Sequence, residues 1–390
     1  MIIPRLALRN LLGAGLRTWL NVVVLSFSFV IIIWLNGIYK GMGNQARVAQ
    51  IDAEYGGGQY WQENYDPLDP LTLQDAHAVI PAPLQNVINS GRATPVLVVQ
   101  ATIYPEGRLY TIQMKGIDPS QTIVTLPTEF LDQEDVDLPA LIGTRMARNT
   151  GLKVGDTVTI RWRDAMGTFD ARDATVVQVM KTTVLTVDQA QIWIPLDKMQ
   201  SLTRMENEAS LVILAKGTKE FPEVSGWTHK NLDFLLKDID YLVKSKSAGG
   251  AVIYVILLSL AMLAIFNTQV LSIFRRRKEM GTLMSMGMTR GKVIQLFTLE
   301  GAMHSVLAAV VAAIYGIPLL VYSAKAGWAM PAAVDEYGFA IGEKLFPVYG
   351  TGLVVGTTVL ILLVTTIVSF LPTRKIAKLK PTDALRGKMT

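Results

Sequence analysis

The sequence lacks cysteine altogether and carries few charges for its length. None of the 390 residues is a cysteine, which excludes structural disulfides, thiolate metal sites and a cysteine nucleophile. Only 18% of the residues are Asp, Glu, Lys or Arg, whereas about a quarter is usual in soluble domains. Hydrophobic residues make up 50% of the chain, and they are concentrated in a few long runs. This combination indicates segments in contact with lipid.

Four long stretches are apolar and free of charge except at their ends. A helix crosses the hydrocarbon layer in about 20 residues, because it rises about 1.5 Å per residue. We therefore predict transmembrane helices at residues 18–40, 247–274, 301–324 and 345–373. The first run is too long for a cleaved signal peptide and no small-residue cleavage site follows it closely, so we expect it to remain as a span.

Basic and acidic residues are divided unequally between the segments that connect these spans. Segments 1–17, 275–300 and 374–390 together hold 15 basic and 3 acidic residues, whereas residues 41–246 hold 19 basic and 26 acidic ones. The positive-inside rule therefore places the three basic segments and both termini in the cytoplasm. Residues 41–246 and the short loop 325–344 are then extracytoplasmic. Topology and anionic phospholipid account for the basic surplus, so it does not indicate nucleic-acid binding.

The segment of residues 41–246 is long enough for a folded domain, and its patterns predict an α+β fold. Alternating, β-branched runs predict strands at residues 93–104, 109–117, 156–163, 174–179, 183–194 and 211–215. Helical patterns occur at residues 71–90, 143–151 and 195–204, the first of them interrupted by Pro81 and Pro83. The fold class predicted for the chain is thus a membrane protein with four transmembrane helices and an α+β extracytoplasmic domain between the first two.

An amphipathic helix is predicted at the end of this domain, at about residues 228–246. Its apolar residues recur at spacings of three and four and are Leu232, Leu235, Leu236, Ile239, Leu242 and Val243. This stripe either packs on its own domain or forms a stalk that carries movement between the domain and the membrane. The sequence leaves both interpretations open.

Sequence motifs for catalysis and cofactor binding are absent. The chain contains no H-E-x-x-H, no G-x-S-x-G and no complete phosphate loop. Residues 287–292 resemble part of a phosphate loop, but the spacing is one residue short and Val293 replaces the Ser or Thr. The three histidines, His77, His229 and His304, are far apart in sequence and suggest no metal site. We therefore expect no enzymatic activity, cofactor or metal in this chain.

The cytoplasmic segment 275–300 is short and basic, and it carries methionines beside its charges. Met-rich amphipathic surfaces suit adaptable docking of a helix into a groove on a partner protein. A helix lying on phospholipid headgroups has the same composition. Composition alone does not decide between these two interpretations.

Three motifs of the chain belong together, one in the segment 275–300 and one near each end of the chain. The first consists of Arg277, Lys278, Glu279, Met280, Gly281, Leu283, Gly287, Arg290 and Glu300. The second is residues 6–12, within a predicted cytoplasmic amphipathic helix at 1–17, and the third is residues 372–386. They resemble the coupling segment, the start and the C-terminal tail of the FtsX-like permease family, which includes lipoprotein-releasing and macrolide-exporting permeases. Residues 284–286, Met-Ser-Met, stand where Arg-Ala-Leu is more usual in the family.

The resemblance implies the permease subunit of a type VII ABC transporter in a bacterial inner membrane. Two such permease chains, identical or different, would pair with two separate ATPase subunits, which hold the ATP and Mg²⁺. The nine matching residues and Met284 would couple the segment to these ATPases. Closure of the ATPases would then be transmitted mechanically to the extracytoplasmic domains.

Two phrases of the extracytoplasmic domain resemble the lipoprotein-releasing branch of the family. They lie at residues 114–119, which include Gly-Ile-Asp-Pro, and at residues 142–158. The resemblance therefore favours release of lipoproteins from the membrane, with a lipoprotein as substrate and a periplasmic carrier as a further partner. Efflux of a hydrophobic compound or peptide and regulation of a cell-wall enzyme are alternatives within the family. A membrane-anchored receptor or scaffold is the alternative outside it.

Overall fold

A computed structural model describes residues 15–218, 221–329 and 344–374. The chain divides into two compact units. The membrane unit comprises the described residues of Met1–Met42, Leu242–Ala329 and Leu345–Thr390, and the extracytoplasmic unit comprises those of Gly43–Tyr241 and Met330–Lys344. Most of the expected N-terminal amphipathic helix, most of the loop 325–344 and nearly all of the tail fall outside the described residues.

Four helices in the described part of the chain are long and apolar enough to cross a membrane. Together with a short helix within residues 275–300 they are α1 (Leu16–Gln50), α7 (Lys237–Arg275), α8 (Arg277–Ser285), α9 (Arg290–Ala326) and α10 (Thr351–Thr373). The four predicted spans are confirmed as apolar helices, and the bounds of three of them are wider than expected. The fourth begins at Thr351 instead of residue 345, because residues 344–345 form a short strand and Gly350 is the N-cap.

The core of the membrane unit lies between α1 and the other three long helices. Its buried residues are Val22, Leu25, Phe29, Val30, Ile32, Ala261, Ile265, Ala308, Ala312 and Ile361. Two glycines of α9 permit the close approach of its neighbours. A Cβ at Gly316 would lie 2.6 Å from Val30 Cγ2, and one at Gly301 would lie 2.3 Å from Ser369 Oγ. Small residues at such contacts let helix backbones meet closely in lipid.

The extracytoplasmic unit is built mainly of strands. They are β1 (Gln59–Gln62), β2 (Ala78–Val79), β3 (Ala93–Ile103), β4 (Tyr110–Ile117), β5 (Pro139–Gly143), β6 (Thr157–Arg163), β7 (Phe169–Met180), β8 (Gln191–Pro195), β9 (Glu208–Ala209), β10 (Leu211–Leu214) and β11 (Trp227–Lys230). Two further short strands, β12 (Trp328–Ala329) and β13 (Lys344–Leu345), flank residues 330–343. The α-helices of this unit are α2 (Ala82–Asn89), α3 (Thr144–Thr150), α4 (Leu185–Gln189), α5 (Leu196–Thr203) and α6 (Leu232–Leu235).

Nine of these strands form one sheet in the order β11-β1-β10-β3-β4-β8-β5-β7-β6. β6 also pairs with β3, since Ala101–Ile103 and Ile160–Trp162 are in antiparallel register. This pairing closes the six strands β3-β4-β8-β5-β7-β6 into a ring, and β10, β1 and β11 extend the sheet from β3. The closed ring leaves no free edge among its own strands.

Alternation along β3 explains why this sheet has a core on each face. Side chains of a strand point to opposite faces in turn. Leu97, Val99, Ala101 and Ile103 pack into one buried cluster, together with Trp162 and other residues of β4 to β8. Val96 and Val98 pack into a second cluster that includes Trp193. Both sets are fully buried, so the middle of β3 is an uninterrupted apolar run from Val96 to Val99.

Most predicted strands and helices of this unit are found near the expected positions, with three corrections. The strand expected at residues 183–194 is wrong in its first half. Residues 185–189 form α4, whose Asp188 carboxylate is buried and accepts a hydrogen bond from the backbone N–H of Arg145 at 3.1 Å. The helix expected at residues 71–90 is wrong before Pro81: a 3₁₀ turn and β2 occupy that part, and only α2 is helical. Proline cannot donate the backbone bond that a continuous helix needs.

The helix expected at about residues 228–246 also begins later than predicted. Residues 227–230 form β11 and pair with β1, because Trp227 is buried in the domain and its strand continues the sheet. The stripe is then divided between α6 and the start of α7, with Leu236 between them. Leu235 and Leu236 are buried, Leu232, Ile239 and Val243 are half-buried, and Leu242 is 37% exposed. Burial of only two of six residues fits packing on the domain at the start of the stripe.

Replacing Leu97 with Ala tests the core inside the ring. Leu97 is fully buried, and deleting most of its side chain leaves a cavity, so we expect unfolding to become easier by about 2–5 kcal/mol. Leu109→Ala is the matched control, since Leu109 is 60% exposed and its loss should change stability by about 0.5 kcal/mol or less. Thermal unfolding of the full chain, followed by tryptophan fluorescence, measures both. Equal midpoints for the two variants would contradict the assignment of this core.

Candidate functional site

Residues 275–300, the segment predicted to be cytoplasmic, contain a helix, a tight turn and the start of a second helix. α8 ends at Ser285 in a Schellman motif: the Met288 N–H donates to the Leu283 carbonyl at 3.0 Å, and the Gly287 N–H donates to the Met284 carbonyl at 3.1 Å. The motif needs a left-handed residue after the helix, and Gly287 supplies it with φ +95°. The glycine of the family pattern thus has a backbone reason here: it reverses the chain between α8 and α9.

Arg276 joins the elements that surround this turn. Its Nη1 donates to both Glu300 carboxylate oxygens, at 2.8 and 2.9 Å, and its Nε donates to Glu279 Oε2 at 2.7 Å. Its guanidinium carbon also lies 4.9 Å from the centre of the Phe297 ring. Glu300 is 6% exposed, so the pair is shielded from water on the side of α9. One side chain therefore connects the residue after α7, the first turn of α8 and the middle of α9.

A small apolar core lies beneath this ion pair. Ile273, Met280, Val293 and Phe297 are buried together, and Met284 and Met288 pack against them. Met280 is fully buried. Met280 is one of the predicted coupling residues, and its side chain packs α8 against α9. Methionine suits this place because its unbranched chain fills irregular gaps.

The remaining predicted coupling residues differ in exposure. Four of them are exposed, namely Lys278, Glu279, Gly287 and Arg290. Leu283 and Met284 are half-buried, and Gly281 and Glu300 are both buried. The Arg277 side chain falls outside the described atoms. Sequence reasoning missed Arg276 as an individual residue, because it is one of three consecutive arginines and nothing in their spacing distinguishes it. The sequence feature that points to a buried basic partner is Glu300, a lone acid at the start of an apolar span.

A second buried ion pair lies in the extracytoplasmic unit, at residues 54 and 115. α1 is followed by a π-helical turn, Ile51–Tyr55, in which the Gly56 N–H donates to the Ile51 carbonyl at 2.8 Å. This turn directs the Glu54 side chain towards β4. There Glu54 Oε1 accepts a hydrogen bond from Lys115 Nζ at 3.1 Å, and the two side chains are 15% and 4% exposed. π-Turns inside or after α-helices are frequent at functional positions.

Further polar groups complete the surroundings of Glu54. Its Oε2 accepts from Gln50 Nε2 at 2.7 Å and from Thr186 Oγ1 at 3.1 Å. Lys115 Nζ also lies 5.1 Å from the centre of the Trp193 ring. Burial raises the pKa of the Tyr65 phenol above its ordinary value, and the Glu54 carboxylate raises it further. The network fixes the end of the first helix to β4 and α4 within this unit.

Metal-ligand clusters are not a feature of the described residues. Within residues 15–218, 221–329 and 344–374, no group of three His, Asp or Glu side chains is arranged to hold a metal ion. Asp66 and Asp69, which the sequence places in a proline-containing turn, accept backbone hydrogen bonds from Leu68 and Leu71 at 2.9 and 3.0 Å. Their carboxylates are used for turn formation.

The Glu54–Lys115 pair can be tested with a double-mutant cycle. Glu54→Gln leaves Lys115 buried without its counter-charge, which we expect to destabilise the protein by about 3–5 kcal/mol. Lys115→Met should cost a similar amount, and the double variant should recover most of the loss because no unpaired charge remains. Thermal unfolding midpoints of the four proteins measure the coupling.

The exposed pair Arg172–Asp137 provides the control for this cycle. Its atoms are 3.2 Å apart, but the side chains are 53% and 76% exposed. Asp137→Asn should therefore cost about 1 kcal/mol or less. A cycle in which Glu54→Gln destabilises no more than Asp137→Asn would refute the structural role of the buried pair.

Comparison with known proteins gives two matches to family models and further relatives. Residues 18–226 match the MacB-like periplasmic core domain, and residues 251–381 match the C-terminal part of FtsX-like permeases. An uncharacterized ABC transporter permease of Methanocaldococcus jannaschii is 24% identical over 251 residues. That match spans 60% of this chain and 58% of the relative's length.

Among solved structures, the extracellular domain of the noncanonic ABC-type transporter YknZ from Gram-positive bacteria matches this chain. The sequence identity is 16% and the TM-score 0.25, over 41% of this chain and 83% of the other. The assignment rests on the two family models, the first of which covers more than half of the chain and the second the region of the last three spans. The chain belongs to the FtsX- and MacB-like family of ABC transporter permeases.

Proposed function

We propose that this chain is the transmembrane subunit of an ATP-driven transporter whose ATPase is a separate polypeptide. ATP and Mg²⁺ would be held by that partner. The observation that carries the proposal is the cytoplasmic segment, in which a buried ion pair and a small core fix one face of α8 and leave the opposite face in solvent. Membership of the permease family supports the same conclusion.

The exposed face of α8 is the surface that would contact the ATPase. Lys278, Thr282 and Ser285 are exposed and follow each other at helical spacing, while Met280 and Met284 lie on the opposite, packed face. Met286, just after the helix, is 72% exposed. A basic residue, small hydroxyl residues and one flexible apolar side chain suit a groove on a partner protein. The coupling residues therefore divide into a contact set and a supporting set.

Transmission would run through Arg276 and Glu300. Arg276 holds α8 to α9 because its Nη1 donates to the Glu300 carboxylate of α9 and its Nε donates to Glu279 in the first turn of α8. Hydrogen bonds between charged groups are the strong ones. Force on α8 would therefore move the ends of the second and third spans together. On the extracytoplasmic side, Leu235 and Leu236, the two buried residues of the stripe, would serve as the corresponding attachment.

The proposed assembly contains two permease chains and two ATPase subunits in a bacterial inner membrane, with both termini of this chain in the cytoplasm. The distribution of basic residues supports this orientation. The second permease chain would be a copy of this one or a related chain. Phospholipid would surround the spans, whose outward residues are large and apolar.

For the cargo we favour lipoproteins released from the outer face of the membrane, with a periplasmic carrier as recipient. This choice rests on the resemblance of residues 114–119 and 142–158. In the structure, several residues of the second phrase form turns: Gly151 and Gly155 have φ of +77° and +93°, and Asp156 accepts from the Lys153 N–H at 2.8 Å. These residues shape the turn between α3 and β6. Efflux of a hydrophobic compound and regulation of a cell-wall enzyme remain the alternatives.

Variants of Arg276 test the transmission step. We expect Arg276→Ala to lower the ATP-dependent activity of the reconstituted complex roughly tenfold or more, as a loss of about 1.4 kcal/mol of coupling would. Arg276→Lys should also fail, because one ammonium nitrogen cannot replace both Nη1, which contacts Glu300, and Nε, which contacts Glu279. Arg275→Ala, an exposed neighbour, is the control and should keep the activity. Full activity of Arg276→Ala would overturn the proposed route.

Variants of Met286 test the contact with the ATPase. Met286→Asp places a charge on the proposed contact face and should abolish co-purification of the ATPase with the full chain. Met166→Asp is the matched control, since Met166 is 76% exposed and belongs to the extracytoplasmic unit. If neither variant, nor the unchanged chain, retains an ATPase, a receptor or scaffold becomes the better explanation.

The cargo can be identified with proteoliposomes that contain the complex. An acylated lipoprotein and a small hydrophobic dye are loaded separately, and release is measured with and without ATP. ATP-dependent release of the lipoprotein alone is the expected result. Release of the dye alone would replace lipoprotein release by efflux, and release of neither would favour regulation of a cell-wall enzyme.

A further inference from the structure

A surface segment of the extracytoplasmic unit, residues 221–226, folds back over the last strand of the sheet. It enters β11 through a tight turn, in which the Trp227 N–H donates to the Val224 carbonyl at 3.2 Å. At the start of the segment the Phe221 ring stacks on the His229 imidazole of β11, with ring centres 4.1 Å apart and planes inclined by 26°. We call residues 221–226 the strap.

Apart from this stack, separate contacts hold the strap to the sheet. The Tyr60 hydroxyl of β1 donates to the Pro222 carbonyl at 2.8 Å, and the Glu63 N–H donates to the Gly226 carbonyl at 3.0 Å. Val224 packs against the apolar cluster that contains Tyr60. A surface segment held in this way opens at a lower free energy than the core of the sheet, because opening it exposes few buried groups.

The surroundings of His229 favour the neutral imidazole. Its Nε2 atom is buried and has no hydrogen-bond partner among the described residues. An imidazolium carries a proton on both ring nitrogens, so protonation would place a donor at Nε2 with no acceptor, which is costly inside a protein. The face of the Phe221 ring attracts a cation, but it supplies no acceptor for that proton. Burial accordingly lowers the pKa of His229 below its ordinary value of 6.5.

The titratable groups of the neighbouring elements offer His229 no fixed counter-charge. Tyr60 faces it from β1, and burial raises the pKa of that phenol, which stays neutral. Lys230 follows on β11 and points to the opposite face, where its Nζ lies over two aromatic rings. Glu223 of the strap and Glu63 after β1 are exposed to solvent. Solvent is therefore the environment that accommodates a protonated His229.

The strand beneath the strap is the one from which the chain continues to the second span. β11 lies at the end of the nine-stranded sheet and pairs with β1. Asn231 follows it as the N-cap of α6, where its side chain accepts a hydrogen bond from the Phe234 N–H at 2.9 Å. α7 then begins at Lys237. The strap therefore lies on the strand that connects the sheet to the start of α7.

We infer that the strap is released by acid: a proton taken up from solvent at His229 lifts Phe221, admits water to the imidazole and frees residues 221–226 from β11. Because the pKa of His229 is lowered in the closed form, closure is fully favoured above about pH 6.5 and is lost as the pH falls through the lowered value. In an acidic extracytoplasmic compartment β11 would then hold the start of α7 less firmly. Release depends on the extracytoplasmic unit alone, and only its effect on transport rests on the proposed function.

Spin labelling of the full chain in nanodiscs tests this inference. The chain has no cysteine, so Ser225→Cys provides a single labelling site on the exposed side of the strap. We expect the mobile fraction of the label to rise several-fold between about pH 8 and about pH 5, with a midpoint below about 6.5 and full reversal on neutralisation. Val154→Cys, at a position that is 55% exposed and outside the strap, is the control, and its label should keep the same mobility.

Histidine variants of the labelled chain identify the group that titrates. His229→Gln and His229→Phe should each make the mobility of the label independent of pH, because neither side chain takes up a proton in this range. His77→Gln, at the other histidine of the extracytoplasmic unit, should keep the response. Thermal unfolding at about pH 8 checks that each variant is folded. A label that stays immobile at about pH 5 in the unchanged strap, or a response that persists in both His229 variants, would overturn the inference.

Tyr60→Phe tests whether the strap moves as described. It removes the hydrogen bond to Pro222 and weakens closure, so the midpoint of release should move up by about half a pH unit. Tyr241→Phe is the matched control, since Tyr241 is 60% exposed and lies outside the strap. An unchanged or lowered midpoint for Tyr60→Phe would contradict the inference. All spectra are recorded without an ATPase, so a chain that shows no transport activity would refute the proposed function and not the release of the strap.

Discussion

Glu300 lies in α9, whose spanning part is otherwise uncharged. Arg276, the residue between α7 and α8, donates two hydrogen bonds to the Glu300 carboxylate. Glu54 and Lys115 meet in the same way inside the extracytoplasmic unit. Removing a charge from water costs several kcal/mol per ion, so each of these groups requires its partner in a fixed place. Both pairs connect parts of the chain that are distant in sequence. The packing around α8, and the position of the turn that ends α1, follow from this requirement.

Features that depend on one stretch of sequence could be predicted well. The four spans are visible as uncharged runs because lipid tolerates few charges in a helix. The strands β3, β4, β6 and β10 are visible because alternating or β-branched residues fit a sheet. Gly287 and Glu300 were identified through the family pattern, and the structure adds the physical reason for each.

Features that depend on contacts between distant residues could not be predicted in this way. The first half of residues 183–194 has the composition of a strand, but burial of Asp188 against the start of α3 makes it a helix. β1 and β11 were missed because each has only four residues. β11 gains its stability from pairing with β1, and β1 from pairing with β11 and β10. Arg276 was hidden among three arginines, since only the fold shows which of them faces Glu300. Met280 was predicted as a coupling residue through the family pattern, and only the fold shows that its side chain packs between α8 and α9.

The closed ring of strands has a consequence for the behaviour of this protein at high local concentration. Sheets aggregate through free edges, where unpaired backbone groups can recruit a strand from another chain. Here β3 and β6 use each other's edges, and in the described sheet β11 stands at the outer end of the extension. β11 has only four residues and carries Lys230, a charge that disfavours strand addition. These domains therefore resist pairing strands with one another, even when many copies are crowded in one membrane during folding and insertion.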